Sequence, residues 1–221
     1  MSEYTRPQLE RAALITIDVQ ADVLDGQSLE VPGSAVALPA IRRLAEAFRS
    51  AGRPIVHIVR LYRSDGSNVD ACRRQAVIDG WSALAPGSPG TELAEGLAPA
   101  ASARLDCELL LRGEIQRLGE QETVIYKPRW GAFFETPLHA HLRELGVSTL
   151  VFGGFNFPNC PRTSIYEASE RDFRIVLVGD AVSGLYERGA QELANIGVEL
   201  MPSEELIGQL AAEWVPATPP A

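Results

Sequence analysis

Three side chains of different chemical type follow hydrophobic segments and could together form a nucleophilic active site. Asp18 ends the segment LITID, Lys127 ends TVIYK, and Cys160 follows LVFGGF after a short turn. In an open α/β sheet, ligands bind beside the residues that follow parallel strands. A thiol, a carboxylate and an ammonium group on one edge would supply a nucleophile, a proton-transferring group and a stabilising cation. Each of these residues alone could have a purely structural role. The occurrence of all three at one edge of the sheet favours an active site.

Cys160 has the strongest local argument of the three. It stands directly before Pro161, and proline is a favoured first residue of a helix. The thiol would then lie at a helix N-terminus, where the partial positive charge favours a thiolate. The glycine-containing turn before it could direct backbone N–H groups at a developing oxyanion. The alternative is that Cys160 is a small buried hydrophobic residue, which is the commoner role of a free cysteine.

The elements that must position these residues can be predicted from short apolar runs that alternate with helical patterns. The predicted strands cover residues 14–18, 55–59, 123–127, 150–155, 175–178 and 198–201. The predicted helices cover residues 39–51, 136–145, 161–172, 191–196 and 203–214. This order predicts a three-layer α/β/α fold around a six-stranded, mainly parallel sheet.

The domain organisation is predicted to be simple. Residues 1–215 should form a single domain, and the proline-rich tail 216–221 should be flexible. The stretch 61–122 contains no clear strand and is broken by several glycines and prolines. Insertions of this length usually cover a functional site or form oligomer contacts.

Composition excludes several classes of function. The chain has 221 residues, a formal net charge of −9 and three cysteines. The excess of acidic residues disfavours nucleic acids and anionic membranes as partners, so we expect a small-molecule substrate. The odd, low cysteine count and the lack of a signal peptide or a long apolar segment favour a cytoplasmic location.

Three segments of the sequence resemble the signature regions of the isochorismatase-like cysteine hydrolases. They read LITIDVQ, YKPRWGAFFETPL and VFGGFNFPNCPRTSIYEASERDF, in the family's order and spread over nearly the whole chain. The resemblance implies a six-stranded parallel sheet of order 3-2-1-4-5-6 and a catalytic triad of Asp18, Lys127 and Cys160. It also implies a homo-oligomer, either a dimer or a tetramer.

The resemblance assigns a role to the turn before Cys160 as well. It implies a cis peptide bond between Phe155 and Asn156, and an oxyanion hole formed by the backbone N–H groups of Asn156 and Cys160. The family usually has threonine at the position of Phe157, so we expect a different substrate pocket here. The aromatic residues Trp130, Phe133, Phe155 and Phe157 are candidates for lining that pocket, or alternatively for packing the core.

The expected chemistry needs no cofactor and no metal. Nicotinamidases of this family bind a metal after the second strand through an aspartate and closely spaced histidines, whereas this chain has only His57 in that region. His139 and His141 lie two apart on one predicted helix and cannot share a metal. The sequence therefore predicts a metal-independent cysteine hydrolase of a C–N bond, acting through a thioester. The alternatives are hydrolysis of a non-amide bond and a noncatalytic binding or assembly module.

Overall fold

The structure is a computed structural model that describes residues 2–213. Its centre is a seven-stranded sheet with the order β3-β4-β2-β1-β5-β6-β7. The strands are β1 (Ala12–Ile17), β2 (Ile55–Val59), β3 (Gln116–Arg117), β4 (Glu122–Tyr126), β5 (Thr149–Gly154), β6 (Arg174–Val182) and β7 (Glu199–Met201). All neighbouring strands are parallel except β3 and β4. The predicted α/β fold with a mainly parallel sheet is confirmed.

The seventh strand, β3, is the one strand of the sheet that the sequence did not predict. It spans only two residues and pairs antiparallel with β4 at the sheet edge. A strand this short has no hydrophobic alternation, so the sequence pattern could not indicate it. The six parallel strands, numbered by themselves, follow the order 3-2-1-4-5-6 that the resemblance implies.

Seven α-helices accompany the sheet within residues 2–213. They are α1 (Ser34–Ser50), α2 (Ala71–Ile78), α3 (Cys107–Leu111), α4 (Leu138–Glu144), α5 (Cys160–Ser169), α6 (Glu187–Asn195) and α7 (Ser203–Glu213). Apolar side chains of α1 and α7 share one buried cluster with strand residues such as Leu14. Those of α4, α5 and α6 share a second cluster with Ile15. Adjacent residues of β1 thus point to opposite sides, as expected for a sheet buried on both faces.

Helix α1 begins five residues earlier than the predicted start at Pro39. The carboxylate of Asp25 accepts hydrogen bonds from the N–H groups of Gly33, at 3.0 Å, and Ala35, at 2.6 Å. It also accepts a hydrogen bond from the hydroxyl of Ser34 at 2.9 Å. Because this remote side chain satisfies the unpaired amides of the first turn, the helix can start before the proline.

The stretch 61–122 contains α2, α3 and β3, and it contributes to the functional edge of the sheet. Its residues Tyr62, Arg73 and Leu84 line a cavity beside Asp18 and Cys160. This placement agrees with an insertion that covers a site, while the prediction of a single domain over residues 1–215 stays a prediction. None of the helices in residues 2–213 has both the length and the apolar character needed to cross a membrane. The predicted tail 216–221 lies outside the described residues.

Candidate active site

Strand ends place Asp18 and Lys127 on the same edge of the sheet. Asp18 directly follows β1, and its backbone N–H donates to the carbonyl of Ile58 at 2.9 Å. Lys127 directly follows β4, and its backbone N–H donates to the carbonyl of Val59 at 3.0 Å. Asp18 adopts a φ of 54°, a left-handed conformation that is uncommon for a residue other than glycine. Strained backbone of this kind is typical of functional sites.

The side chains of Asp18 and Lys127 form a buried ion pair. Nζ of Lys127 donates to Oδ2 of Asp18 at 2.8 Å. Lys127 has no exposed surface, and Asp18 is 7% exposed. The other carboxylate oxygen, Oδ1, is buried and makes no hydrogen bond within residues 2–213. This oxygen is therefore available to accept a proton.

Cys160 is the first residue of α5 and lines the same cavity as Asp18. Its side chain is buried, and Nη2 of Arg60 lies 3.9 Å from its Sγ. Asp18, Lys127 and Arg60 are the charged groups that act on the thiol. The three residues predicted as a triad thus lie together at one end of the sheet.

The predicted bias of Cys160 toward a thiolate is not found. Burial, reinforced by the negative charge of Asp18, raises the pKa of the Cys160 thiol to about 11, although Lys127 and Arg60 oppose this shift. The helix N-terminus does not outweigh the loss of solvent around a thiol this deep in the protein. The resting residue is therefore a neutral thiol at pH 7, and a base must remove its proton before it can attack.

The turn between β5 and Cys160 differs from the expected geometry in one respect. Residues 2–213 contain no cis peptide bond, so the expected cis bond between Phe155 and Asn156 is corrected to trans. The chain bends instead at Gly154, which has a φ of +128°. A Cβ atom there would lie 2.2 Å from the carbonyl oxygen of Ile17, so only glycine can bring the turn this close to β1.

The backbone N–H groups assigned to the oxyanion hole are those of Asn156 and Cys160. Within residues 2–213, neither group donates to a carbonyl or a side chain, whereas the N–H groups of Phe155 and Phe157 are both occupied. Both Asn156 and Cys160 line the cavity. Two unpaired donors at a cavity wall can bind a developing negative charge on a substrate oxygen.

The cavity is narrow, and two of the four predicted aromatic residues line it. Its volume is about 40 Å³, far below the ~300–1,000 Å³ of sites for drug-sized ligands. Trp130 and Phe155 form part of its wall. Phe133 packs instead against Phe173, with ring centroids 6.0 Å apart, and Phe157 packs against Tyr186 at 5.5 Å. Phe133 and Phe157 therefore belong to the core, which corrects their proposed place in the pocket.

Arg60 is a buried cation of the site that the sequence interpretation missed. Its guanidinium group forms an ion pair with Asp70 at 2.7 Å and donates to the carbonyl of Arg129 at 2.7 Å. It also lies 5.7 Å from the ring centroid of Trp130. Its position in the sequence could have indicated a role in the site, because Arg60 directly follows β2 as Asp18 directly follows β1.

The histidines are placed apart from the cavity. His57 is fully buried between Thr16, at 2.7 Å, and Glu122, at 2.8 Å. His141 contacts the hydroxyl of Thr123, while His139 lies on the ring edge of Phe173. Residues 2–213 contain no group of three or more His, Cys, Asp or Glu side chains that could hold a metal ion. The absence of a metal requirement stays a prediction.

Known proteins resemble this chain over most of its length. The sequence matches the isochorismatase domain family over residues 12–205. A probable inactive nicotinamidase of Arabidopsis thaliana is 28% identical over 206 residues, covering 90% of this chain and 96% of the relative. A ureidoacrylate amidohydrolase of Methylobacterium radiotolerans is 26% identical over 224 residues, covering 94% of this chain and 81% of the relative.

A solved structure has a similar fold. An isochorismatase family protein from Desulfovibrio vulgaris superposes with a TM-score of 0.74 and 32% sequence identity. The match covers 91% of this chain and 98% of the other. Sequence and fold agree across the region that carries Asp18, Lys127 and Cys160, and the chain therefore belongs to the isochorismatase family of hydrolases.

Proposed function

We propose that this protein is a metal-independent cysteine hydrolase that cleaves an amide-type C–N bond of a small molecule. The observation that carries the proposal is that Asp18 and Cys160 line one narrow cavity, while Lys127 forms an ion pair with Asp18. The similarity to a ureidoacrylate amidohydrolase supports an amide-type bond. The small volume of the cavity supports a small substrate.

In the first step, Asp18 acts as the base. Its unpaired Oδ1 takes the proton from Sγ of Cys160 as the sulfur attacks the substrate carbonyl carbon. A base is needed because the thiol, with its pKa near 11, is neutral at pH 7. The new C–S bond converts the carbonyl into a tetrahedral oxyanion, which accepts hydrogen bonds from the N–H groups of Asn156 and Cys160.

In the second step, the protonated Asp18 gives its proton to the leaving nitrogen. The C–N bond breaks, ammonia or an amine departs, and a thioester to Cys160 remains. Asp18 then takes a proton from a water molecule, whose oxygen attacks the thioester carbonyl and releases the carboxylic acid. The proton returns to the Cys160 sulfur, so the enzyme is regenerated without any oxidant or cofactor.

Lys127 acts on this cycle through Asp18. The buried ammonium group, 2.8 Å from Oδ2, stabilises the ionised carboxylate and leaves Oδ1 directed elsewhere. It also opposes the rise of the Cys160 pKa. We therefore assign it the role of holding the base charged and of stabilising the thiolate as it forms.

The decisive experiment is a screen of simple amides, ureides and lactams with wild-type protein, Cys160→Ala and Cys72→Ala. Cys72 is exposed, so its variant controls for the loss of any thiol. We expect ammonia or amine release by wild type and Cys72→Ala but not by Cys160→Ala, and an acyl adduct on Cys160 by mass spectrometry after acid quenching. Release should persist in EDTA. Activity that survives Cys160→Ala would refute the mechanism.

A noncatalytic role is the second candidate, because one relative at 28% identity is named a probable inactive nicotinamidase. The two candidates differ in covalent chemistry. A binding module would retain a ligand in the cavity without turnover and without an acyl adduct. Failure of the full panel to give either product or adduct, with iodoacetamide still able to reach Cys160, would favour this second function.

A further inference from the structure

The charges of the ion-paired side chains at the cavity do not sum to zero. Asp18 is paired with Lys127 at 2.8 Å, which leaves Arg60, Arg73 and Asp70. Asp70 lies 2.7 Å from Arg60 and 3.5 Å from Arg73, so one carboxylate faces two guanidinium groups. These five side chains together carry one more positive charge than negative charge, although the whole chain has a net charge of −9.

Asp70 is ionised despite its burial, so this imbalance is real at neutral pH. Burial by itself would raise its pKa, but the guanidinium of Arg60 and the hydroxyl of Tyr62, which donates to Asp70 at 3.0 Å, lower it below its usual value. Arginine stays protonated in proteins. The surplus positive charge of this group of side chains favours an anion as ligand.

Arg73 is the arginine that can bind a ligand. Arg60 is nearly fully buried and donates to Asp70 and to two backbone carbonyls. The side chain of Arg73 is 28% exposed, and only its Nη1 is engaged, with the hydroxyl of Tyr62 at 3.1 Å. Within residues 2–213, its Nε and Nη2 donate to no acceptor. These two atoms form the edge of the guanidinium that binds a carboxylate in bidentate fashion.

The position of Arg73 is restricted by an aromatic ring shared with Arg60. The Arg73 guanidinium carbon lies 4.9 Å from the ring centroid of Trp130, and that of Arg60 lies 5.7 Å from the same centroid. Arg60 in turn contacts Sγ of Cys160 at 3.9 Å. Arg73 and Cys160 both line this cavity, and the contacts through Trp130 and Arg60 connect them.

The remaining wall is suited to a short hydrocarbon chain. Apart from Tyr62, Asn156 and Asn159, it is formed by the apolar side chains of Val23, Leu29, Val31, Leu84 and Phe155. Together with one surplus positive charge, this wall fits a monoanion with a short hydrocarbon part. A phosphate monoester carries a charge of about −1.5 to −2 at pH 7 and would be left under-neutralised.

We propose that the substrate is a small amide that also carries a carboxylate, and that Arg73 binds this carboxylate while Cys160 attacks the amide carbonyl. This proposal rests on the proposed hydrolase function. Arg73 is then the specificity-determining residue of the reaction: it selects acidic amides over neutral ones and takes no part in bond cleavage.

Alkylation of Cys160 tests the anion site independently of hydrolysis. Iodoacetate and iodoacetamide transfer similar groups to sulfur, but only iodoacetate is an anion. We expect the ratio of their rate constants at Cys160 to exceed the ratio for 2-mercaptoethanol by about tenfold, and to fall by about tenfold in Arg73→Gln. Mass spectrometry of the Cys160 peptide measures both rates in the same sample.

Matched variants separate binding from folding. Arg73→Lys keeps the charge and should keep most of the preference for iodoacetate. Arg74→Gln removes the same charge from the next residue of α2, which is exposed and lies outside the cavity, and should leave the ratio unchanged. An equal ratio in wild type and Arg73→Gln would overturn the proposal, as would an equal loss in Arg74→Gln.

Steady-state kinetics on paired amides supply the second readout. Succinamate and glutaramate carry a carboxylate, whereas butyramide and pentanamide are neutral amides of similar length. We expect Arg73→Gln to raise KM for the acidic amides with little change in kcat, and to leave the neutral amides unaffected. Faster hydrolysis of the neutral amides by wild type would refute the proposal. A preference for iodoacetate without any amide hydrolysis would support the anion site and refute the hydrolase function.

Discussion

Nζ of Lys127 lies 2.8 Å from Oδ2 of Asp18, across 109 positions of sequence, and neither side chain has appreciable access to water. Each charge is therefore stable in this position only because the other is present. Removing one partner leaves a buried charge without compensation, which is costly, whereas replacing both removes the problem. This mutual dependence ties the stability of the fold to the chemistry of the site.

The first prediction concerns that dependence. Lys127→Met and Asp18→Asn should each lower the free energy of unfolding by about 3–5 kcal/mol, and the double variant should lose much less than their sum. Urea unfolding of the four proteins measures the coupling. Arg112→Met breaks an ion pair whose side chains are 58% and 55% exposed, and should cause no measurable loss. Additive losses at Asp18 and Lys127 would contradict the prediction.

The second prediction concerns the pH dependence of Cys160. Because its pKa is raised to about 11, the rate of alkylation by iodoacetamide should keep rising above pH 9. Asp18→Asn should lower this pKa, since the negative charge of Asp18 raises it, and should also abolish hydrolysis. The rate is followed by mass spectrometry in a Cys72→Ala background. A plateau at or below pH 8 in wild type would be inconsistent with a neutral resting thiol.

The third prediction concerns stability in acid. Burial alone would raise the pKa of Glu122, but hydrogen bonds from Arg49 and His57 lower it from 4.5 to about 2. A carboxylate whose pKa is lower in the folded state stabilises the protein above its unfolded pKa, and this stabilisation is lost as the pH falls through the folded pKa. Glu122→Gln should therefore destabilise the protein at pH 7 and less so near pH 2.

Thermal unfolding at pH 7, 4 and 2.5 checks this expectation. Glu114→Gln is the matched control, because Glu114 is more than half exposed and pairs only with an exposed arginine. The difference in melting temperature between Glu122→Gln and wild type should shrink steadily as the pH falls. A difference that stays constant over this range would show that the ionisation of Glu122 does not contribute to stability.

The fourth prediction concerns the bend at Gly154. Alanine there would combine an unfavourable φ with a Cβ 2.2 Å from the carbonyl oxygen of Ile17, directly before Asp18. We expect Gly154→Ala to cost about 3 kcal/mol or more and to abolish activity. Gly146→Ala also has a positive φ, +68°, but meets no atom within 4 Å, and should cost only about 1–2 kcal/mol without loss of activity. Urea unfolding compares the two; equal costs would contradict the steric argument.

Much of the fold followed from local patterns. The six parallel strands lie within a few residues of their predicted positions, because most of them are short apolar runs rich in β-branched residues and buried on both faces. Helices α4, α5 and α7 also start close to their predicted first residues, because Pro137, Pro161 and Ser203 mark their starts. Helix α1 starts before its predicted position because its capping residue, Asp25, is eight residues or more away in sequence from the amides that it caps.

The candidate triad was predictable for a related reason. Parallel strands end on the same edge of a sheet, so residues that directly follow strands are brought together by topology alone. This rule and the family resemblance both indicate Asp18, Lys127 and Cys160. Arg60 obeys the same rule, but an arginine after a strand does not indicate an active site until its burial beside a thiol is known.

The sequence shows which reactive groups are available, namely a thiol, a carboxylate and an ammonium group, and which strands carry them at their ends. The protonation state and the accessibility of these groups depend on the tertiary structure. The depth of Cys160 makes it a neutral thiol, and the packing of Phe133 and Phe157 removes them from the cavity. Asp70 balances only one of two arginines. Burial and charge balance are sums over neighbours distant in sequence, so no local pattern could reveal them.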